Sequence, residues 1–318
     1  MSIVGTVREI WRYPVKSMAG ESVDSSFVET GGLQGDRAWA VRDDDAGEIR
    51  SAKKLSGLMR CAAAYEGVLA GTPLPPPRIR MPDGSVHRAD DPAAAACLSE
   101  LLGRSLSLWP RTSDPDHYRL AASASTSDIR KQFGIGEDEP DPDLSELPLR
   151  LLLKLSVFAT PPGTYFDAYP LHILTTASLT AMREAASEGD FDVRRFRPNI
   201  LIETDPSIEG LAEFEWCGGL VRVGDVVVRC EARTVRCSMP ALPQACGLAR
   251  DTTVLRTVRD YADRHLGIYA TVVTPGSIRI GDAVELHHPQ FRPIRSTYDS
   301  LRKSMKRALL RGWAKIAE

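Results

Sequence analysis

Short apolar stretches separated by glycine turns run through the first third of the chain, and Arg37–Arg42 alternates with a period of two, a pattern typical of short β-strands. Strands are predicted at Ile3–Ile10, from Ser26 to Glu29 and at Arg37–Arg42. Glycine-containing segments between them mark turns. Apolar residues at helical spacing interrupt this pattern near Pro92–Leu102. We therefore expect an N-terminal β-barrel-like domain over residues 1–112.

The following stretch, residues 113–148, shows no such periodicity. It is polar and acidic and ends in the run Gly136-Glu-Asp-Glu-Pro-Asp-Pro-Asp143, whose prolines disfavour a regular helix. We expect a linker or a mobile flap that contains the domain boundary. A disordered surface insertion fits the same composition.

After Leu171 the strand pattern resumes with two helices inserted. Thr175-Thr-Ala-Ser178 is a good helix start, and Asp251 precedes a second segment with apolar residues at helical spacing. Strands are predicted at Asn199–Glu203, Leu220–Val223, Val226–Cys230, Ile268–Thr274 and Ser277–Leu286.

Two similar glycine turns, Arg222-Val-Gly-Asp225 and Arg279-Ile-Gly-Asp282, suit a curved barrel better than a parallel sheet. The predicted fold class is therefore mainly β with inserted helices (α+β), in two β-barrel-like domains. The second domain is expected over residues 149–286.

Composition fits a folded protein, with 43% hydrophobic and 26% charged residues among 318. No apolar run approaches the roughly 18 residues of a membrane span. The N-terminal residues Met1–Glu9 lack the basic-then-apolar layout of a signal peptide. The six cysteines are too few and too scattered for a disulfide framework. These features predict a cytoplasmic protein with reduced thiols.

The net charge of −2 hides an asymmetry, because residues 287–318 hold eight Lys or Arg against two acids. The rest of the chain is therefore acidic, which argues against nucleic-acid binding as the main role. In the tail, apolar residues recur at helical spacing and predict a basic amphipathic helix. Through residues 298–316 it would dock on the chain's own body, on an acidic electron-donor protein or on an anionic membrane surface.

Two N-terminal motifs carry groups that bind anions. Tyr13-Pro-Val-Lys-Ser17 places the Lys16 ammonium beside the Ser17 hydroxyl. In Gly32-Leu-Gln-Gly-Asp-Arg-Ala-Trp39, the glycines permit positive φ, and Arg37 offers a two-pronged donor for phosphate or carboxylate. A solvated loop lysine and a surface Arg–Asp pair are the alternatives that these motifs leave open.

Two motifs of the second domain have similar chemistry. Thr175, Thr176 and Ser178 lie at a helix start, where free N–H groups and the positive dipole end favour phosphate; simple N-capping is the alternative. Arg194-Arg-Phe-Arg-Pro-Asn-Ile200 places three arginines in four positions, which is costly inside a β domain without an anionic partner. A solvent-facing basic patch is the alternative there.

Cys237 follows Arg233-Thr-Val-Arg236, and cationic neighbours favour the thiolate, which is both a nucleophile and a soft-metal ligand. An inert buried thiol is the alternative. Cys246 would serve as a second thiol of a reductase if the two Cα atoms lay within about 7 Å. The sequence has no G-x-G-x-x-G, Walker, H-E-x-x-H or C-x-x-C motif, so nucleotide-fold and zincin classes lose most of their support.

Taken together and in this order, the motifs resemble those of the MOSC family with its N-terminal β-barrel domain. Members of this family are related to the C-terminal domain of molybdenum cofactor sulfurase and to the amidoxime-reducing molybdoenzymes. The resemblance covers about residues 1–286 and includes the closing segment Gly267–Leu286. It implies two barrel-like domains holding molybdopterin between them, with Cys237 ligating molybdenum or carrying sulfur. It also implies that the cofactor is bound by Lys16, Ser17, Arg37, Thr175, Thr176, Ser178, Arg197, Asn199 and Arg236.

The function implied is an oxidoreductase that reduces small N-oxygenated compounds by two-electron oxygen-atom transfer at a Cys237-ligated molybdenum. Electrons would come from a separate ferredoxin-, flavin- or cytochrome-type protein, because no C-x4-C-x2-C motif exists here.

Two departures from the family pattern bear on the alternatives. Thr234 stands where relatives often have the first cysteine of C-x-R-C, and the pyridoxal-phosphate desulfurase domain of full sulfurases is absent. The alternative function is a sulfur carrier or cofactor-handling protein, in which a cysteine desulfurase would load Cys237 as a persulfide. A binding module that has lost its metal ranks last, because the motif cations and Cys237 are all present.

Overall fold

A computed structural model of the chain describes residues 2–69, 73–122 and 126–287. The strands of the first part are β1 (Ser2–Arg12), β2 (Glu21–Val23), β3 (Ser25–Glu29), β4 (Gly32–Leu33), β5 (Trp39–Asp43), β6 (Glu48–Arg50), β7 (Ala62–Ala64), β8 (Arg78–Arg80), β9 (Val86–Arg88) and β10 (Leu106–Pro110). Those of the second part are β11 (Leu171–Thr175), β12 (Ile200–Thr204), β13 (Leu220–Val223), β14 (Val226–Val235), β15 (His265–Thr274), β16 (Gly276–Arg279) and β17 (Ala283–His287).

The helices are α1 (Pro92–Leu102), α2 (Thr126–Phe133), α3 (Leu149–Leu155), α4 (Thr176–Ala185), α5 (Val193–Phe196) and α6 (Thr252–Ala262). No helix in the described ranges is long and apolar enough to cross a membrane. The predicted tail helix lies outside the described residues, apart from His287, which ends β17.

Seven strands form a closed barrel in the order β12-β11-β15-β14-β13-β17-β1, and pairing of β1 with β12 closes the ring. The barrel interior includes Val4, Val7 and Ile10 of β1, which are buried in one core cluster with Val228 and Cys230 of β14. These three β1 residues are three positions apart, and register shifts in the pairing of β1 accompany this departure from strict alternation. Helix α4 connects the parallel strands β11 and β12. The predicted mainly β fold with inserted helices is confirmed.

Strand pairing crosses the domain boundary expected from the sequence. β1 belongs to the predicted N-terminal domain but lies in the second barrel, between β12 and β17. β16 leaves that barrel and pairs with β3. The single strand predicted from Ser277 to Leu286 is therefore two strands, separated by a turn at Gly281, where φ is +88°. Apolar alternation identifies a buried face but not the strand that pairs beside it.

The N-terminal unit contains the three-stranded sheets β10-β5-β6 and β7-β8-β9, with α1 packed against β10. Local signals set the bounds of α1: Asp91 caps its first turn, Pro92 begins it, and Gly103 ends it in the left-handed conformation. The core of this unit includes Met239 of the second part, and Cys237 packs against it. The two units therefore meet around residues 237–239.

The acidic stretch predicted as a linker or flap contains helix α2 and is anchored to the second barrel. Helix α2 ends at Phe133, before the run Gly136–Asp143, whose prolines disfavour a regular helix. The Arg233 Nε donates to Glu146 at 2.6 Å, and Glu139 forms an ion pair with Arg264. Ion pairs and hydrogen bonds hold this stretch against the second barrel, which composition alone does not reveal.

Candidate functional site

A pocket lies where the two units meet. From the N-terminal unit, Lys16, Ser17 and Arg37 line it. From the second part, its lining comprises Asp167, Tyr169, His172, Arg195, Phe196, Arg197, Asn199, Thr234, Val235, Arg236, Cys237, Met239, Pro240 and Tyr269. Seven of the ten residues predicted as a site therefore lie together, although 221 positions separate Lys16 from Cys237.

The charge of this lining is strongly unbalanced. Five cationic side chains line the pocket, and Asp167 is the one carboxylate among the lining residues. Lys16, Arg197 and Arg236 are at most 8% exposed. Buried cations need anionic partners, so an anionic ligand fits this pocket.

Lys16 is fixed by two contacts. Its Nζ donates to the carbonyl of Tyr165 at 3.0 Å and to Asp167 at 2.6 Å. Burial lowers the pKa of Lys16, and Asp167 offsets this only in part. Partial desolvation raises the pKa of Asp167, but the Lys16 and Lys53 cations outweigh it and hold that pKa well below its usual range. The next residue, Ser17, has φ +70° and accepts a bond from the Ala52 N–H at 2.9 Å.

Arg37 and Arg197 both have left-handed backbones, with φ +46° and +55°. Arg37 forms an ion pair with Asp36, whereas Arg197 donates through Nη1 to the carbonyl of Met18 at 2.5 Å. Burial lowers the pKa of Arg197 to about 10, so the guanidinium remains charged at neutral pH. Burial also acts to lower the pKa of Arg37, but the Asp36 carboxylate raises it above its ordinary value.

Arg236 follows strand β14 and has one nitrogen free for a ligand. Its Nη2 donates to the carbonyl of Phe196 at 2.6 Å, and Nη1 lies 3.4 Å from Nε2 of His172. Among the residues that the structure describes, none accepts a hydrogen bond from its buried Nε. Burial and the Arg236 charge hold the pKa of His172 well below its ordinary value, so that ring is neutral. A buried donor of this kind can take an acceptor from a ligand or from water.

The other two arginines of the Arg194–Ile200 motif have carboxylate partners within the protein. Arg194 pairs with Asp192 at 2.6 Å, and Arg195 pairs with Asp190 at 2.7 Å. Arg195 also donates to the carbonyls of Pro240 and Ala249. Among the described residues, the buried Nε of Arg195 has no hydrogen-bond partner. Arg197 is the arginine of this motif without a carboxylate partner in the described part of the chain.

Cys237 is half-buried and lines the pocket directly after Arg236. Cys246 is exposed and does not belong to the lining. None of the six cysteines, all of which lie in the described ranges, forms a disulfide. Within the described ranges, no group of three or more His, Cys, Asp or Glu side chains is placed to hold a metal ion.

The hydroxyl motif at the start of α4 is not in the pocket. The Thr175 and Ser178 hydroxyls each donate to Glu213 at 2.6 Å, and Thr175 also caps the helix through the Ser178 N–H. Thr176 lies 3.2 Å from the Thr204 hydroxyl. The structure thus directs all three side chains away from the predicted cofactor cradle. The alternative of N-capping describes Thr175.

Asn199 lines the pocket but uses its amide inside the protein. Its Oδ1 accepts from the His172 N–H at 3.2 Å, and its Nδ2 donates to the Trp11 carbonyl at 3.2 Å. Asn199 therefore joins β1 to β11 beneath the site.

Six lining residues were not identified from the sequence: Asp167, Tyr169, His172, Met239, Pro240 and Tyr269. They lie in apolar or mixed segments without a motif, so no sequence signal singled them out. Lys53, whose Nζ lies 4.0 Å from Asp167, was missed for the same reason.

Comparison with known proteins matches the two parts of the chain to two family models. The model of the MOSC N-terminal beta barrel domain matches residues 4–102, and that of the MOSC domain matches residues 161–285.

Two curated relatives are similar over most of the chain. Mitochondrial amidoxime-reducing component 1 of Mus musculus is 24% identical over 300 residues, covering 89% of this chain and 82% of the relative. Mitochondrial amidoxime reducing component 2 of Bos taurus is 24% identical over 310 residues, covering 88% and 83%. Among solved structures, the YUAD protein from Bacillus subtilis aligns with a TM-score of 0.41 and 11% identity, over 91% of this chain and 98% of that chain.

Proposed function

Because this chain is a MOSC domain protein with a MOSC N-terminal beta barrel domain, we propose that the pocket between its two units binds the molybdenum cofactor. The observation that carries this proposal is the lining: buried cations in excess over carboxylates, with the Cys237 thiol among them. Cations suit the phosphate of a pterin cofactor, and a thiolate suits a thiophilic metal.

The residues of the pocket fit this group. The unpartnered Nε of Arg236 and the guanidinium of Arg197 supply donors for a phosphate or a pterin acceptor. Lys16 adds a further cation, held in place by Asp167 at 2.6 Å. Ser17 offers its hydroxyl proton, since its oxygen already accepts from Ala52. The proposed cofactor-binding residues are thus Lys16, Ser17, Arg37, Arg197 and Arg236.

Cys237 is the proposed metal ligand. It directly follows Arg236 and packs on one side against the N-terminal core, which fixes the thiol at the seam of the two units. When bound, the cofactor would supply two-electron oxygen-atom transfer. The neutral His172 ring and the Asp167 carboxylate then border the space left for a small substrate.

We extend the proposal to small N-oxygenated compounds because the names of both curated relatives describe amidoxime reduction. Those names also describe each relative as a component, which supports a separate protein as the electron donor. The chain's own part is to bind the cofactor, exclude bulk water and orient the substrate.

The test is the molybdenum content per chain after purification from a cofactor-replete host. We expect near-stoichiometric molybdenum in the wild type and a large loss in Cys237→Ala. Cys246→Ala is the matched control, because Cys246 is exposed and outside the pocket, and it should retain wild-type content. Equal molybdenum in both variants would contradict metal ligation by Cys237.

If wild-type protein from such a host contains neither molybdenum nor pterin, the cofactor proposal is wrong and the sulfur-carrier function becomes the one to test. Incubation with a cysteine desulfurase would then add the mass of one sulfur atom to Cys237, measured on the intact protein. A molybdenum-loaded wild type that reduces an N-hydroxylated base with an artificial donor supports the enzyme.

A further inference from the structure

One tyrosine ring holds two of the pocket arginines. Tyr13, at the end of β1, is only 1% exposed. The guanidinium carbon of Arg197 lies 4.2 Å from its ring centroid, and that of Arg37 lies 4.9 Å from the same centroid. Aromatic faces attract guanidinium groups, so the ring offsets the repulsion that would separate two like charges.

The Tyr13 ring is itself fixed on several sides. Its hydroxyl donates to the Pro198 carbonyl at 3.1 Å, and its N–H donates to Asp36 at 2.7 Å. Its own carbonyl accepts from the Arg37 N–H at 2.7 Å. A Cβ on Gly20 would lie 2.6 Å from Cδ1 of the ring, which shows how closely the backbone packs there. The ring therefore has little freedom to move.

The two arginines reach the ring through unusual backbones. Both have left-handed φ values, which residues with side chains seldom adopt. Such strain persists only where the surroundings impose it, and it gathers at ligand sites. Ser17, with φ +70°, is a third residue of this kind in the same lining.

We propose that Tyr13 is a positioning residue that holds Arg37 and Arg197 as a two-arginine clamp for a phosphate monoester. The proposal deepens the function proposed above, since a phosphorylated pterin is a ligand of this class. Arg197 has no carboxylate partner in the described residues, so one full cation is available to an oxyanion. Guanidinium groups bind phosphate through two parallel N–H donors, and a fixed pair of them would set the direction of the phosphate.

The test measures binding of inorganic phosphate by calorimetry to the full chain, purified from a host that makes no molybdenum cofactor. Tyr13→Leu should raise the Kd for phosphate about tenfold, because both cation–π contacts are lost. Tyr13→Phe keeps the ring and should remain within about threefold of the wild type. This rescue separates the stacking from the hydroxyl.

The matched control is Tyr118→Leu. Tyr118 is fully buried and donates to the Thr112 carbonyl at 2.7 Å, but it does not line the pocket. It should lower the thermal midpoint, as Tyr13→Leu does, and leave phosphate binding unchanged. An equal loss of phosphate affinity in Tyr118→Leu, or wild-type affinity in Tyr13→Leu, would overturn the clamp, as would a Tyr13→Phe variant as weak as Tyr13→Leu.

Failure of the clamp and failure of the cofactor proposal are distinguishable. A wild type that binds no phosphate overturns the clamp, whatever its molybdenum content. If the wild type binds phosphate and Tyr13→Leu weakens that binding, but the wild type never contains molybdenum, the clamp proposal stands and the cofactor proposal is wrong.

Discussion

Gly267, near the start of β15, permits the closest approach of two barrel strands beside the pocket. Its φ is +79°, and a Cβ there would lie 2.2 Å from Nε2 of His172 and 2.8 Å from the Ile173 carbonyl oxygen. Both neighbours belong to β11, and His172 also contacts Arg236. Gly267→Ala should therefore affect stability and the site together.

Gly163 provides the matched comparison, since its φ is +81° and a Cβ there would meet nothing within 4 Å. Alanine at either position adopts a left-handed backbone at a cost of about 1–2 kcal/mol. At Gly267 the backbone of β11 must also shift, and such overpacking costs about 1–3 kcal/mol more. We expect losses of about 1–2 kcal/mol for Gly163→Ala and about 2–5 kcal/mol for Gly267→Ala. The smaller unfolded-state entropy of alanine is common to both variants and cancels from the difference.

The assay is urea denaturation of both variants, with the free energy of unfolding extrapolated to water. Phosphate binding provides the second measurement, and Gly267→Ala should weaken it because the displaced His172 disturbs Arg236. Gly163→Ala should bind phosphate as the wild type does. Equal destabilisation by the two substitutions would refute the close approach of β15 and β11 on which this prediction rests.

Two further predictions concern buried and bridging carboxylates. Burial raises the pKa of Glu213. Its contribution to the free energy of unfolding is therefore complete below the ordinary carboxyl pKa and is lost as the pH rises through the raised value, because the buried side chain must then ionise. Glu213→Gln should thus raise the thermal midpoint relative to the wild type at pH 8 and change it little at pH 4; parallel midpoints across that range would contradict this. Glu139 bridges Arg259 and Arg264, so Glu139→Gln should speed limited proteolysis of residues 126–143, with global stability reduced by at most about 1 kcal/mol. Glu137→Gln, on an exposed neighbour, is the control, and equal cleavage of the two variants would argue against the bridge.

The sequence predicted best where a signal is local. The bounds of α1 follow from Asp91, Pro92 and Gly103, which act on adjacent backbone groups. The strand predicted over Ile3–Ile10 is part of β1, in which Val4, Val7 and Ile10 are buried but Ile3 is exposed. Helix α2 in the acidic stretch was not predicted, and the Ser238 N–H, more than 100 residues further on, donates to its Gln132 carbonyl.

Part of the site was also evident from residue types. Lys16, Arg37, Arg197, Arg236 and Cys237 were selected by charge and by sulfur chemistry, and the structure brings them to one pocket. Their roles toward a cofactor remain a prediction. The sequence alone does not distinguish them from Arg195, whose charge is taken up by Asp190.

The hydroxyls at α4 show what a motif cannot decide. Thr175 and Ser178 offer the right groups at a helix start, but Glu213, more than 30 residues further on, occupies both of them. A buried hydroxyl forms a hydrogen bond with a polar group that the fold places beside it, and the sequence does not show which distant residue that will be.

The sequence by itself determined the fold class, the bounds of α1 and the supply of cations and thiols, because those depend on neighbouring residues and side-chain chemistry. Only the tertiary structure decided that β1 closes the second barrel, that β16 joins β3, and that Tyr13 lies against both Arg37 and Arg197. Strand partners and ring–cation contacts are set by the three-dimensional packing of segments far apart in the chain, and no local pattern specifies them.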